Sequence, residues 1–375
     1  MKTFKFGMLI EKEDICDREK EIALLKKIIA LPGGRAVVYG QRRFGKSSVV
    51  CNVIIKDFEK SPKKGIAIYA DLFQLESQRD LTHRLCRAVE TALSEHAKIK
   101  TFWGKIQNYI KNLHAEFSID SKTGTPKISI AGGFEKDEKS LFELFSTINS
   151  LSSEYPTLLV LDEFQDIAFI DGMEALLRSE MQKLSKTSII LLGSKRHILK
   201  HIFHDEREPF YGFGTDVDFG VIPRDLWVPY MQDRFVPNGQ NIDETSAQLI
   251  SELMDDVPNA IQEFCQWLWI SSFKGNIDEK IIREELANLI RNKSNRFLEK
   301  MAPLSLKEKH LLHAIAKNQP VASLNSTQFI RESEVSASGA KAATERLVDQ
   351  GVLDLSTDGY RITDPLFRHF LTTDS

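Results

Sequence analysis

Nine consecutive residues, Gly40 to Ser48, constrain this chain more than any other stretch. They read Gly-Gln-Arg-Arg-Phe-Gly-Lys-Ser-Ser and satisfy the spacing GxxxxGK[ST]. The residues before them, Arg35-Ala36-Val37-Val38-Tyr39, are short, apolar and β-branched, which reads as a buried strand. The residues after, Ser47 through Ile55, read as a helix. Between a strand and a helix N-terminus, such a turn converges its N–H groups on a phosphate, and the helix dipole favours the anion. The candidate phosphate-binding set is therefore Gly40, Gln41, Arg42, Arg43, Phe44, Gly45, Lys46, Ser47 and Ser48. Lys46 is placed to reach the β- and γ-oxygens of a nucleoside triphosphate, and the Ser47 hydroxyl to ligate Mg²⁺.

A phosphate loop needs a second site, and Leu158-Leu159-Val160-Leu161-Asp162-Glu163 supplies one. The aliphatic run suits a central parallel strand buried on both faces. In a chain without the loop, two acids after it would read simply as solvated charges. Beside the loop, Asp162 is the expected Mg²⁺ partner of Ser47. Glu163 is the expected group to orient and polarise the attacking water, since phosphoryl transfer chiefly needs positioning and electrostatic help. A third buried-type run, Ser188 to Gly193, ends at Ser194, where a side chain can sense the γ-phosphate or the water. The expected catalytic set is Lys46, Glu163 and Ser194.

Another strand is expected at Gly65 to Asp71, followed by a helix through Leu81, Leu85, Ala88 and Leu93. The alternation predicts an α/β fold, a doubly wound parallel-sheet core over residues 1–235. Within it, residues at about 98–134 read as an insertion. A helix carries Trp103, Ile106 and Ile110, and a hairpin pairs 116–120 with 127–131 across a glycine-containing turn. His197, His201 and His204, with Asp205, share one helix face as metal ligands do. The segment lacks the glutamate of an HExxH site, so a solvated or partner-facing helix is the better reading.

Residues 236–300 predict a helical lid, interrupted at Asp256-Val257-Pro258-Asn259, where Pro258 suits the first turn of a new helix. Trp267 and Trp269 read as core or interface packing. Residues 301–375 predict a winged helix-turn-helix. Its first helix has Leu306, His310, Leu311 and Ile315 inward, and a short second helix spans 326–332. The third helix, 336–350, buries Ala340, Ala343 and Leu347, and a wing hairpin turns at 357–359. The third helix offers Lys341 and Arg346 against Glu345 and Asp349, thin chemistry for a DNA reader.

Composition bounds the partners. The chain has 375 residues, room for two or three domains, and its 50 basic and 53 acidic residues nearly cancel. No overall field draws it to nucleic acid. Its four cysteines form no CxxC pair, and neither a signal peptide nor a membrane span is evident, so the expected place is the cytoplasm, with no membrane partner.

The loop, the Leu-Val-Leu-Asp-Glu-Phe-Gln-Asp strand and the Leu-Leu-Gly-Ser strand together resemble the archaeal-type P-loop ATPase family, within the AAA+/STAND group. Asp17-Arg18-Glu19 followed by Glu21-Ile22 is similar to that family's opening element. The closing Tyr360-Arg361-Ile362-Thr363-Asp364-Pro365 is similar to its ending. The resemblance implies ATP with Mg²⁺ as ligands, Arg18 near the adenine, and Pro258 and Asn259 facing base and phosphates. The absence of an NKxD element agrees with adenine. Members commonly carry Pro-Leu-Tyr-Gly-Arg after the third strand; this chain has Pro209-Phe210-Tyr211-Gly212-Phe213, so the expected trans-acting arginine is missing there, and Arg196 and Arg207 are its nearby substitutes. Three readings stay open: an ATP-hydrolysing switch engaging DNA or protein, a DNA-associated motor, and a non-catalytic regulator stabilised by ATP. Double-stranded DNA, a separate effector chain and a second copy of the chain are the partners in view.

Overall fold

The computed structural model describes residues 2–97, 115–119, 126–130, 137–271, 274–356 and 358–373. The chain forms two compact units. One contains residues 18–40 and 46–219; the other contains 1–17, 41–45 and 220–375.

The first unit is built on β1 (Arg35–Tyr39), β2 (Ile66–Asp71), β3 (Ala115–Ile119), β4 (Pro126–Ile130), β5 (Thr157–Asp162), β6 (Ser188–Leu192) and β7 (Thr215–Asp218). Five of these make one sheet in the order β2-β5-β6-β1-β7, with every neighbouring pair parallel. Every residue of β5 and β6 is buried, which is why both read as unbroken aliphatic runs. Their side chains pack with Leu85 and Val89 of the helix Gln78–Ala97 and with Leu144 and Ile148 of the helix Asp137–Glu154. Because neighbouring strands run parallel, β1, β5 and β6 end at the same edge. That edge is where ligands of open α/β sheets gather.

After β1 the chain turns through the loop into a helix. It begins at Lys46–Val49, widens into a π-helical stretch at Val50–Ile55 and returns to α-helix at Lys56–Glu59. β3 and β4 pair antiparallel, Ala115 opposite Ile130, a hairpin as expected but with each strand one residue earlier than 116–120 and 127–131. The expected helix around Trp103 and the turn at 120–125 lie outside the described residues.

The second unit contains the helices Arg224–Phe235, Glu244–Leu253, Pro258–Ile270 and Glu279–Met301, with a short parallel pair of β8 (Gln240–Ile242) and β9 (Gly275–Ile277). Asp243 and Asp278 cap two of the helices by accepting the N–H groups of Ser246 and Ile281. Trp227, Phe235, Ile261, Phe264 and Leu289 lie in its core. The Trp267 indole donates to Glu285 at 2.7 Å and that of Trp269 to the Arg234 carbonyl at 3.3 Å, so both rings pack with their polar tips satisfied.

The winged domain follows in the same unit: helices Leu306–Asn318, Thr327–Ser333 and Ala337–Asp349, then β10 (Leu353–Ser356), β11 (Gly359–Ile362) and the helix Pro365–Thr373. Ser305 and Glu308 form a reciprocal capping box at the first helix. Ala340, Ala343 and Leu347 are buried as expected, but Leu306 is 69% exposed and His310 faces Glu334 at 3.6 Å. The inward stripe instead runs through Leu311, Leu312 and Ile315. At 100° per residue, Leu306 stands about 140° around the helix from Leu311.

The helix Pro365–Thr373 docks on the turn after Glu244–Leu253. Arg368 donates to Asp255 at 2.9 Å, and both Arg368 and His369 reach the Leu253 carbonyl, at 3.1 and 2.7 Å. Asp255 and Asp256 hold left-handed backbone at φ 51° and 55°, and Arg224 grips Asp256 through two bonds. Burial, and then Arg368 beside it, pull the His369 imidazole down to about 4. A histidine kept neutral when folded stabilises above its unfolded value of about 6.5 and loses that contribution as pH falls through the window toward 4. Thermal melts of the wild type are expected to weaken between pH 7 and pH 4.5 by an amount of order 3 kcal/mol from this group. In His369→Gln the slope across that window flattens.

Candidate nucleotide site

The site is built from the ends of β1, β2, β5 and β6. Asp162 closes β5, and its carboxylate is fixed from three sides. Oδ1 accepts the Glu163 N–H at 2.8 Å, while Oδ2 accepts the hydroxyls of Ser47 at 2.7 Å and Tyr69 at 3.1 Å. Burial raises the Asp162 carboxyl above the usual carboxylate range; the Ser47 hydroxyl opposes that shift, and the neighbouring Glu163 charge adds to it. A buried carboxylate pushed toward protonation, beside a hydroxyl, favours a hard cation. These all-oxygen donors fit Mg²⁺.

Glu163 takes left-handed backbone at φ 50° and turns the chain into the 3₁₀ helix Phe164–Phe169. The turn aims its carboxylate at β6. Oε2 accepts Gln165 Nε2 at 2.7 Å and Ser194 Oγ at 2.8 Å, and Gln165 Oε1 accepts the Ser194 N–H at 3.2 Å. Gly193 makes this closure possible: a Cβ there would stand 2.2 Å from Gln165 Oε1. Glu163, Gln165 and Ser194 therefore form one closed triangle of hydrogen bonds, two between side chains and one from the Ser194 backbone N–H. The sequence singles out two of its corners; Gln165 appears there only within the motif, and Tyr69 only within the expected strand Gly65–Asp71. Tyr69 had no signal beyond its place near the end of a strand.

Lys46 is buried, and its ammonium donates to the Gly40 carbonyl at 2.7 Å across the loop. Gly40 lies so close to Phe219 that a Cβ would meet that residue at 2.9 Å. Ser48 is buried behind the loop. At the apex, Arg43 and Gly45 have φ of 68° and 86°, and Phe44 enters the core of the second unit.

The residues implied by resemblance are placed as follows. Arg18 is buried, bonded to Glu21 at 2.8 Å, with its guanidinium 5.2 Å from the centre of the Phe219 ring. Pro258 opens the helix Pro258–Ile270, and Asn259 accepts the Gly7 N–H at 2.9 Å. Phe213, where the family motif has arginine, is buried under the guanidinium of Arg35 at 4.8 Å. Arg196 pairs with Asp218 and Arg207 with Asp205. Among the described residues, His201, Asp205 and Glu208 come within ligating distance of one another, but Arg207 already takes the Asp205 carboxylate through two bonds. His204 is bonded elsewhere, to Asp216 at 2.9 Å.

Comparison with known proteins agrees with this geometry. Residues 32–202 match the family described as "AAA domain", and residues 295–373 match "Probable winged helix domain". No curated protein sequence matches the chain. Among solved structures, the Walker-type ATPase Paby2304 of Pyrococcus abyssi is similar with a TM-score of 0.66 at 21% identity, over 98% of this chain and 99% of that one. The Aeropyrum pernix ORC1 protein, solved in complex with DNA, is similar at 0.50 and 16% identity, over 96% and 93% of the chains. The Aeropyrum pernix ORC2 protein, with ADPNP and ADP, is similar at 0.51 and 13%, over 99% and 97%. The motifs, the five-stranded parallel sheet and these matches converge: the chain is a P-loop ATPase that joins an AAA domain to a C-terminal winged helix.

Proposed function

We propose that the protein is a Mg²⁺-dependent ATP-hydrolysing switch whose nucleotide state governs engagement of a protein partner by the winged domain. The observation that carries hydrolysis is the triangle of Glu163, Gln165 and Ser194. It holds a carboxylate at the end of β5 with one oxygen already committed to two donors. A group fixed in that way can accept a hydrogen bond from a water at its other oxygen and orient it for in-line attack. Lys46 would exchange its bond to the Gly40 carbonyl for the phosphate oxygens, and Ser194 would report the γ-phosphate to Glu163. Ser47 and Asp162 would hold the Mg²⁺, which would supply charge neutralisation to the phosphates.

A protein partner is favoured by the charge of the winged domain. On the helix Ala337–Asp349, Arg346 is paired with Glu308 at 3.3 Å, and on the wing Arg361 is paired with Asp358. The exposed Lys341 stands with the exposed acids Glu345 and Asp349 on that helix. A duplex reader commits several cations to phosphates. The second reading, docking of duplex DNA, draws on the likeness to the ORC1 protein solved with DNA.

Steady-state ATP turnover with and without Mg²⁺, then with duplex DNA at 50 and 200 mM salt, separates the readings. The switch reading expects Mg²⁺-dependent turnover indifferent to DNA. Turnover raised by DNA at low salt and lost at high salt would transfer the winged domain to DNA. Nucleotide binding without turnover, with or without DNA, would leave a regulator stabilised by ATP.

A further inference from the structure

Three successive residues at the apex of the phosphate loop, 42–44, belong to the second unit and pack within it. Arg42 lies against Gly351 so closely that a Cβ on that glycine would stand 2.7 Å from Nη1. Arg43 Nη1 donates to Asp364 Oδ2 at 3.3 Å. Phe44 is buried in the hydrophobic cluster that also contains Trp227 and Ile222. Gly351 and Asp364 both belong to the winged domain, at the end of its third helix and at the start of its last one.

Asp364 is itself fixed. Its Oδ1 accepts the Leu366 N–H at 3.1 Å, capping the helix Pro365–Thr373, so its Oδ2 is presented to Arg43 from a rigid base. Lys300, largely desolvated with its ammonium 4.4 Å from the centre of the Phe367 ring, adds a second positive charge that acts on Asp364 and Arg43. Arg43, in turn, holds φ 68°, a left-handed conformation that is strained for a residue with a Cβ. Phosphate binding requires the loop's N–H groups to converge, and a loop already held in one conformation does not lose that freedom when the ligand arrives.

We propose that Asp364 is a positioning residue for nucleotide binding: through Arg43 it holds the apex of the phosphate loop in its left-handed conformation, so the winged domain sets the affinity for ATP. The proposal rests on residues 40–48 being the phosphate site. The link is reciprocal. Whatever displaces Asp364 from Arg43 lowers nucleotide affinity, and bound nucleotide strengthens the Arg43–Asp364 contact.

Asp364→Asn is the informative substitution, because asparagine caps a helix as well as aspartate and so removes the charge without removing the bond to Leu366. The pair is partly exposed, which sets the scale: KM for ATP, and the Kd for ATP by calorimetry, rise about 3- to 5-fold. kcat stays unchanged, since Glu163 and Ser194 are untouched, and the melting temperature stays close to wild type. Arg43→Gln raises KM as well, and the double variant is no worse than the more affected single one, as for two residues acting through one contact. A KM unchanged or lowered in Asp364→Asn, or additive effects in the double variant, overturns the proposal. Wild type that turns over no ATP and binds none in the calorimeter overturns the phosphate-site reading and this inference with it.

Discussion

Replacing Glu163 with glutamine lowers kcat by about 10²- to 10⁴-fold, the range lost when a group that accepts or directs a proton is removed. Glutamine preserves length and an oxygen acceptor for Ser194 Oγ or Gln165 Nε2, which now meet at 2.8 and 2.7 Å. What it removes is the negative charge that, in the proposed mechanism, polarises water. Lys46, Ser47 and Asp162 are not touched by the change, so ATP binding is retained and the variant accumulates the ATP-bound state. Lys46→Ala is expected to behave differently, losing binding and turnover together, because in the proposed mechanism its ammonium meets the phosphates. Single-turnover hydrolysis and equilibrium binding on both variants check the assignment. A Glu163→Gln variant that hydrolyses at the wild-type rate would move the water-activating role to another residue.

The second large effect is on stability. Phe210 is fully buried, and its ring lies 5.1, 5.8 and 5.2 Å from those of Phe164, Phe203 and Phe213. Phe210→Ala leaves a cavity among three rings that cannot collapse without leaving their own contacts. The expected loss is about 3–5 kcal/mol, or roughly 10 °C in the melting transition of this unit. Phe164 directly follows Glu163, so loosening the cluster also loosens the turn that aims the carboxylate. Calorimetry and turnover measured below the new transition both detect it: kcat falls even where the chain remains folded.

The loop, β1, β5 and β6 were legible in the sequence because their constraints are local. A buried parallel strand must be aliphatic along its whole length, and a phosphate loop must carry glycine and lysine at fixed spacing. β7 escaped because Thr215-Asp216-Val217-Asp218 has only one inward residue. β8 and β9 are three residues each, too short for any period to show. At the site, residues that follow strand ends could be named, whereas Tyr69 and Gln165 contribute through contacts between separate elements. Leu306 shows the converse failure. An apolar residue at the start of a helix was assigned inward on hydrophobicity, while its angle around the axis sends it outward. The apex contacts of Arg43 and Phe44 were invisible for the same reason as Tyr69: their partners lie far away in the chain, on separate elements.

The margin of the sheet has a further consequence. Among the described residues β7 pairs on one side only, with β1, so its outer backbone offers a row of donors and acceptors to any extended segment that arrives, the usual opening for chains to join into larger sheets. Three of the four β7 residues face solvent, and two of them are aspartates. A strand approaching that margin would bring its own side chains against those carboxylates and strip them of water. Charged groups at that rim, Asp216 with His204 and Asp218 with Arg196, thus oppose pairing of this edge with a second chain, independently of ATP.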